Sequence, residues 1–236
     1  LSFGENSYNP EESASQAEGT MSRHQVVDAI CNVGLVPVIR AESSDMAMRV
    51  IEAIKAGGVN LLEITMTVPG AVRVIEEVAK RYGDQVIVGA GTVLDAETAR
   101  ACILAGAQFV VSPSLNPNTI ECCRRYSIPV MPGALTPTEV VTAWQAGADM
   151  VKVFPCNAVG GASYIKALKG PLPQIDLIPT GGVSLKTAAD FIKAGSAALG
   201  VGGDLVDTKA IAEGHDDVVT ERAKQFLEII RTARSS

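Results

Sequence analysis

Residues 146–155 read AGADMVKVFP, and the same opening returns at 56–65 (AGGVNLLEIT), 105–114 (AGAQFVVSPS) and 194–203 (AGSAALGVGG). In each case Ala-Gly closes an amphipathic segment and a short apolar run follows. A glycine just past the last helical turn supplies a left-handed cap, so each recurrence marks a helix ending and a strand beginning. Working outward gives eight apolar runs: Leu35–Ile39, Leu61–Thr65, Val86–Val88, Phe109–Val111, Pro129–Met131, Met150–Phe154, Ile175–Ile178 and Ala197–Val201. Between them Ser44–Ala56, Pro69–Tyr82, Asp95–Ala105, Asn116–Tyr126, Thr136–Ala146, Gly161–Leu168 and Ser184–Ala194 carry helical spacing. Ser22–Cys31 forms a helix before the first strand and Val218–Arg231 one after the last. Apolar strands alternating with helices imply a parallel sheet covered by helices. Eight such units in about 210 residues fit an α/β fold of the (β/α)8 TIM-barrel type, with an extra N-terminal helix. A doubly wound sheet is the alternative. It usually carries a glycine-rich dinucleotide turn after its first strand, and LVPVIRAESS (35–44) has none.

Composition narrows the function. The 236 residues are 47% hydrophobic and 19% charged, enough to bury a large core without disulfides or metal. A single domain is expected over residues 21–236. Residues 1–20 are polar and nonperiodic and read as a tag remnant or disordered leader, with Met21 as the start of the natural chain. A net charge of −6 argues against nucleic acid as the partner. No apolar run approaches the roughly 20 residues of a membrane span, so no membrane association is expected. The five cysteines lack zinc spacing, which suits a reduced, cytoplasmic protein. The two histidines, His24 and His215, lie near the ends. They exclude a three-histidine metal site and argue against a histidine-based triad. No metal and no cofactor are therefore expected, and chemistry falls to Lys, Glu, Arg, Thr and backbone groups.

In a barrel of this kind, active sites sit at the C-terminal ends of the strands. Charged residues inside strand runs therefore stand out: Arg40, Glu63 and Lys152. Strand side chains alternate, so if Val151 and Val153 pack on helices, Lys152 points into the barrel with Met150 and Phe154. Burial disfavours an ammonium and favours the neutral amine, which can attack a carbonyl; a structural ion pair is the other reading. Glu63 occupies the same kind of position, as an ion-pair partner of Lys152, as a proton shuttle, or as both. Arg40 ends the first strand, where a guanidinium suits a substrate carboxylate or a purely structural contact. Gly181-Gly182 and Gly202-Gly203 follow the seventh and eighth runs, the usual phosphate site of this architecture, where loop N–H groups and a helix N-terminus face the anion. Tight turns are the alternative for these glycines. Asp204 suits phosphate only if it points away and caps the next helix. Thr92 closes Gly89-Ala90-Gly91 as a hydroxyl able to reach a ligand, or as an N-cap. Cys156 is expected to be a buried spectator.

The ordered set Val38-Ile39-Arg40, Leu62-Glu63-Ile64-Thr65, Gly89-Ala90-Gly91-Thr92-Val93, Ser112-Pro113, Met131-Pro132-Gly133, Lys152-Val153-Phe154-Pro155, Lys169-Gly170-Pro171, Pro179-Thr180-Gly181-Gly182-Val183 and Gly200-Val201-Gly202-Gly203 closely resembles the 2-keto-3-deoxy-6-phosphogluconate (KDPG) aldolase family. That family also includes 4-hydroxy-2-oxoglutarate (KHG) and 2-keto-3-deoxy-6-phosphogalactonate aldolases. The resemblance spans about residues 25–232. It implies that Lys152 forms a Schiff base, Glu63 is the general acid/base, and Thr92 helps bind the pyruvate carboxylate. It implies that Phe154 packs on the pyruvyl part, Thr180 approaches the substrate, and Gly181, Gly182, Gly202 and Gly203 surround the phosphate. Many members carry an arginine where Thr67 stands here; others carry it at the end of strand one, and Arg40 matches those. Asp204 replaces a serine of some members. The implied reaction splits a phosphorylated keto acid into pyruvate and glyceraldehyde 3-phosphate in a homotrimer. A catalytically silent trimeric scaffold and a phosphate-sugar isomerase or epimerase are the competing readings; metal-dependent epimerases need His/Asp ligands that this chain lacks.

Overall fold

The computed structural model describes residues 21–235, so the reading of residues 1–20 lies outside the described residues. Helix α1 (Arg23–Val33) precedes β1 (Leu35–Ile39), and the chain then alternates through α2 (Ser44–Ala56), β2 (Leu61–Thr65), α3 (Ala71–Tyr82), β3 (Ile87–Gly91), α4 (Ala96–Leu104) and β4 (Phe109–Val111). Next come α5 (Pro117–Arg125), β5 (Val130–Met131), β6 (Gly133–Ala134), α6 (Pro137–Gln145), β7 (Val151–Val153), α7 (Ala162–Lys169) and β8 (Leu177–Pro179). The last elements are α8 (Ala188–Lys193), β9 (Leu199–Val201), α9 (Thr208–Ala212) and α10 (Asp216–Arg234). The recurring Ala-Gly pairs do end helices: Gly106, Gly147 and Gly195 all take positive φ, the conformation the cap requires.

All strand pairs are parallel, in the orders β5-β4-β3-β2-β1-β9 and β6-β7-β8. β5 and β6 are one run interrupted at Pro132, which has no N–H to donate. Its first half pairs with β4 and its second with β7, so the run bridges the two sheets. A bridge between Thr180 and Gly200 joins β8 to β9 and completes the ring. This is the TIM-like barrel that the alternation predicts.

The core has two shells. Leu62, Ile64, Val151 and Val153 pack between the strands and the helices. Leu61, Ile87, Phe109, Met131, Met150, Ile178 and Ala198 fill the barrel interior, together with Val26 and Ile30 of α1. Helix α1 therefore plugs the N-terminal end of the barrel. Its start is fixed by a capping box between Ser22 and Gln25. Arg23 pairs with Asp149 at 2.6 Å, and Asp149 also accepts the Val130 N–H at 2.9 Å. At its other end Arg234 of α10 donates to the carbonyls of Cys31, Asn32 and Ala197 at 2.6, 2.8 and 3.0 Å.

The structure departs from the sequence pattern in three places. β3 runs on through Gly89 and Gly91 because neighbours claim their space. A Cβ on Gly89 would lie 2.3 Å from the Phe109 ring, and one on Gly91 would lie 2.5 Å from Glu63 Oε1. The segment expected as a helix from Ser184 becomes helical only at Ala188. Before that, the Thr187 hydroxyl accepts the Ser184 N–H at 2.9 Å and donates to the Gly182 carbonyl at 2.9 Å, closing a local turn. Helix α9 is unannounced by apolar spacing and starts on Asp207, whose carboxylate accepts the Ala210 N–H at 3.0 Å.

Candidate active site

Alternation along β7 sends Val151 and Val153 toward the helices and Lys152 into the barrel. The Lys152 side chain is 5% exposed and that of Glu63 2%. They reach the same layer from β7 and β2, with Lys152 Nζ 3.9 Å from Glu63 Oε1. That separation exceeds a hydrogen bond, and Glu63 Oε1 has no hydrogen-bond partner among the described residues. Burial pushes the Glu63 carboxyl above the usual carboxylate range, while Lys152 and Arg40 pull it partly back. The result is an amine beside a carboxyl that holds its proton more firmly than an exposed one, a pair suited to nucleophilic attack and proton transfer.

Just past β7 and two residues from Lys152, Phe154 lies with its ring centroid 5.3 Å from Lys152 Nζ. Phe154 also lines a cavity of about 120 Å³ at the C-terminal end of the barrel. The other walls are Val38 and Arg40 at the end of β1, Thr180, Gly181, Gly182 and Val183 after β8, and Gly200, Gly202, Gly203 and Asp204 around β9. Arg40 is the one cation in this lining and Asp204 the one carboxylate. Thr180 is 5% exposed, and a Cβ on Gly200 would lie 2.2 Å from its hydroxyl oxygen, so Gly200 makes its room.

Seven of the ten residues marked by the sequence line this cavity, Lys152 and Glu63 lie in the barrel interior, and Thr92 follows the C-terminal end of β3. Thr92 lies outside the cavity wall, immediately past β3 with φ +60, a left-handed conformation rare for a β-branched residue. Two details are corrected. The helices after the two glycine pairs start further along the chain, α8 at Ala188 and α9 at Thr208, so the loop N–H groups are the donors nearest in sequence. The next helix is capped by Asp207 and not by Asp204, and Asp204 lines the mouth.

The sequence reading passed over Asn157. A Cβ on Gly182 would come within 2.6 Å of the Asn157 Cβ, and one on Gly181 within 3.0 Å of its Oδ1. Asn157 thus backs the glycine loop from the turn after β7, a non-local contact with no periodic signal. Ser112 at the end of β4 is 1% exposed, and its hydroxyl accepts the Ser114 N–H at 3.3 Å. Burial pushes the Cys156 thiol up to about 11, which keeps it protonated and inert, as expected of a spectator. Among the described residues no group of three or more His, Cys, Asp or Glu is placed to hold a metal ion.

Residues 26–222 match the family model described as KDPG and KHG aldolase. A 2-dehydro-3-deoxy-phosphogluconate aldolase of Treponema pallidum is 34% identical over 87% of this chain and 97% of its own. A 2-dehydro-3-deoxy-6-phosphogalactonate aldolase of Escherichia coli is 37% identical over 84% of this chain and 95% of its own. A KDPG aldolase from Legionella pneumophila, solved with pyruvate captured at low pH as a covalent carbinolamine intermediate, superposes with a TM-score of 0.79. The identity is 29%, over 85% of this chain and 97% of that one.

Proposed function

This chain belongs to the family of KDPG and KHG aldolases, and from that premise we propose that it cleaves KDPG to pyruvate and glyceraldehyde 3-phosphate through a Schiff base on Lys152. The observation that carries the reading is the buried amine of Lys152 beside the unpartnered Glu63 oxygen, 3.9 Å away. Lys152 attacks the C2 ketone, and loss of water gives an iminium that serves as electron sink. Glu63 takes the proton of the C4 hydroxyl, the C3–C4 bond breaks, and its electron pair passes into the enamine. The aldehyde leaves, C3 takes up a proton from Glu63, and hydrolysis returns pyruvate and the free amine. Arg40 anchors the carboxylate with help from Thr92, Phe154 packs on the pyruvyl group, and the loop N–H groups of Gly181, Gly182, Gly202 and Gly203, beside Thr180, hold the phosphate.

The 37% identity to the phosphogalactonate enzyme supports a second substrate reading, which differs only in the configuration at C4. We also propose a homotrimer, as the resemblance implies, in a reducing compartment such as the cytoplasm; the five unpaired cysteines support the latter. Incubation with pyruvate and borohydride, followed by peptide mapping, should place a stable adduct on Lys152. An adduct elsewhere, or none, overturns the mechanism. Values of kcat/KM on the gluconate, galactonate and unphosphorylated hydroxy-oxoglutarate substrates decide the choice among them.

A further inference from the structure

We infer that Thr65 is a positioning residue that fixes where the Arg40 side chain leaves the strand. The inference rests on the reading of Arg40 as the substrate's anion anchor. β1 and β2 pair in parallel with Val38 opposite Glu63 and Ile39 opposite Ile64, so the two strands end side by side at the mouth of the barrel. Thr65, the last residue of β2, is wholly buried. Its hydroxyl donates to the Ile39 carbonyl at 2.9 Å. The Thr67 hydroxyl lies 2.6 Å from the Thr65 oxygen. A threonine has one hydroxyl proton, and a carbonyl can only accept. With the Thr65 proton committed to Ile39, Thr67 must be the donor of the second bond. The hydroxyls form a directed chain, Thr67 to Thr65 to Ile39, running from the surface into the strand ends.

The acceptor at the end of this chain matters because of what it belongs to. The Ile39 carbonyl is half of the rigid peptide plane whose other half is the Arg40 N–H. Fixing that oxygen fixes the plane, and with it the position of the Arg40 N and Cα from which the side chain leaves the strand. Arg40 itself is exposed and carries no hydrogen bond or ion pair among the described residues. Its placement at the cavity wall therefore depends on its backbone. Where other members of the family place the arginine after strand two, this chain has Thr67, and there the Thr67 hydroxyl supports the strand that bears Arg40.

The test measures KM and kcat on KDPG, with melting temperature as a folding control, for Thr65→Val, Thr65→Ser, Thr67→Val, Arg40→Ala and the Thr65→Val/Arg40→Ala pair. Thr65→Val should raise KM about three- to tenfold with kcat changed less than about twofold, the scale of one buried hydrogen bond. Thr65→Ser should restore KM. Thr67→Val should raise it by less than Thr65→Val, and this variant keeps the test alive if Thr65→Val fails to fold. In the Arg40→Ala background Thr65→Val should add nothing, because the residue it positions is gone. Full additivity, a fall confined to kcat, or failure of serine to rescue overturns the role of Thr65 while leaving Arg40 as anchor. An Arg40→Ala variant with unchanged KM, both for KDPG and for pyruvate trapping, overturns both.

Discussion

Lys152 and Glu63 stand opposite one another across the barrel interior, 3.9 Å apart and almost wholly enclosed. Neither is held by a hydrogen bond to the other. In the proposed mechanism, an amine that becomes a nucleophile and a carboxyl that exchanges protons are thus kept adjacent without being locked together. Lys152→Arg should abolish turnover and pyruvate trapping, since a guanidinium stays protonated at any working pH. Retained trapping in that variant would show that another lysine carries the chemistry.

Glu63→Gln should lower kcat by about 10²–10⁴-fold, the usual size of a lost acid–base group. It should also change stability in a pH-dependent way. Burial raises the folded-state pKa of Glu63 above its unfolded value. Between those two values the folded chain holds a proton that the unfolded chain has released. Stability from this group is fully present below the unfolded pKa and is lost as pH rises through the folded one. Glu63→Gln should therefore melt higher than the parent chain at neutral pH. The gain should vanish near and below about pH 4, the ordinary range of the group. Melting curves of both proteins from pH 4 to 8 check it, and a gain that grows toward acid would contradict the assignment.

Gly202 and Gly182 should respond differently to the same substitution. A Cβ on Gly202 meets nothing within 4 Å and its φ is not in the left-handed region. Gly202→Val should fold normally and obstruct the phosphate, lowering kcat/KM on phosphorylated substrate about 10–150-fold for one lost charge-assisted hydrogen bond. An unphosphorylated substrate should lose far less. Gly182 has φ +76 and lies against Asn157, so Gly182→Val should cost melting temperature as well as activity. Equal losses on both substrates for Gly202→Val would place the phosphate elsewhere.

Asp204 remains at the mouth beside those glycines. Asp204→Ser should raise kcat/KM for a phosphorylated substrate by up to about fivefold, the scale of an exposed charge pair, and added salt should erase the difference. Unchanged values at low ionic strength would mean that the carboxylate does not sense the substrate.

Arg234 ties α1 to the start of β9 through three carbonyls. Arg234→Ala should cost about 1–2 kcal/mol, or roughly 2–8 °C in Tm, with kcat and KM preserved. Loss of activity without loss of stability would show that the tie reaches the site.

The sequence made Lys152 and Glu63 legible because each interrupts an apolar strand with a charge, a departure visible without knowing any contact. The barrel was legible for a related reason, since the glycine caps repeat. Thr65 escaped notice because threonine is an ordinary strand residue, and only the neighbouring strand's carbonyl reveals what its hydroxyl does. Asp204 and Asp207 are both plausible caps three residues apart, and the choice between them depends on where the chain turns after β9. The strand character of Gly89 and Gly91 was hidden for a similar reason: the groups that need their space, Phe109 and Glu63, are distant in sequence.

The plug formed by Val26 and Ile30 closes the floor of the barrel, which leaves the C-terminal mouth as the doorway among the described residues. In the proposed reaction the pyruvyl half is tethered at depth while the aldehyde half occupies the passage above it. Because the pyruvyl half is bonded to Lys152, the traffic is sequential. The aldehyde departs first, water follows it in, and pyruvate leaves last. Run in reverse, pyruvate enters first and creates the partner to which an aldehyde can add. The covalent bond to Lys152 sets that order, and the helix at the floor, which touches no reacting atom, leaves both products the same mouth to depart through.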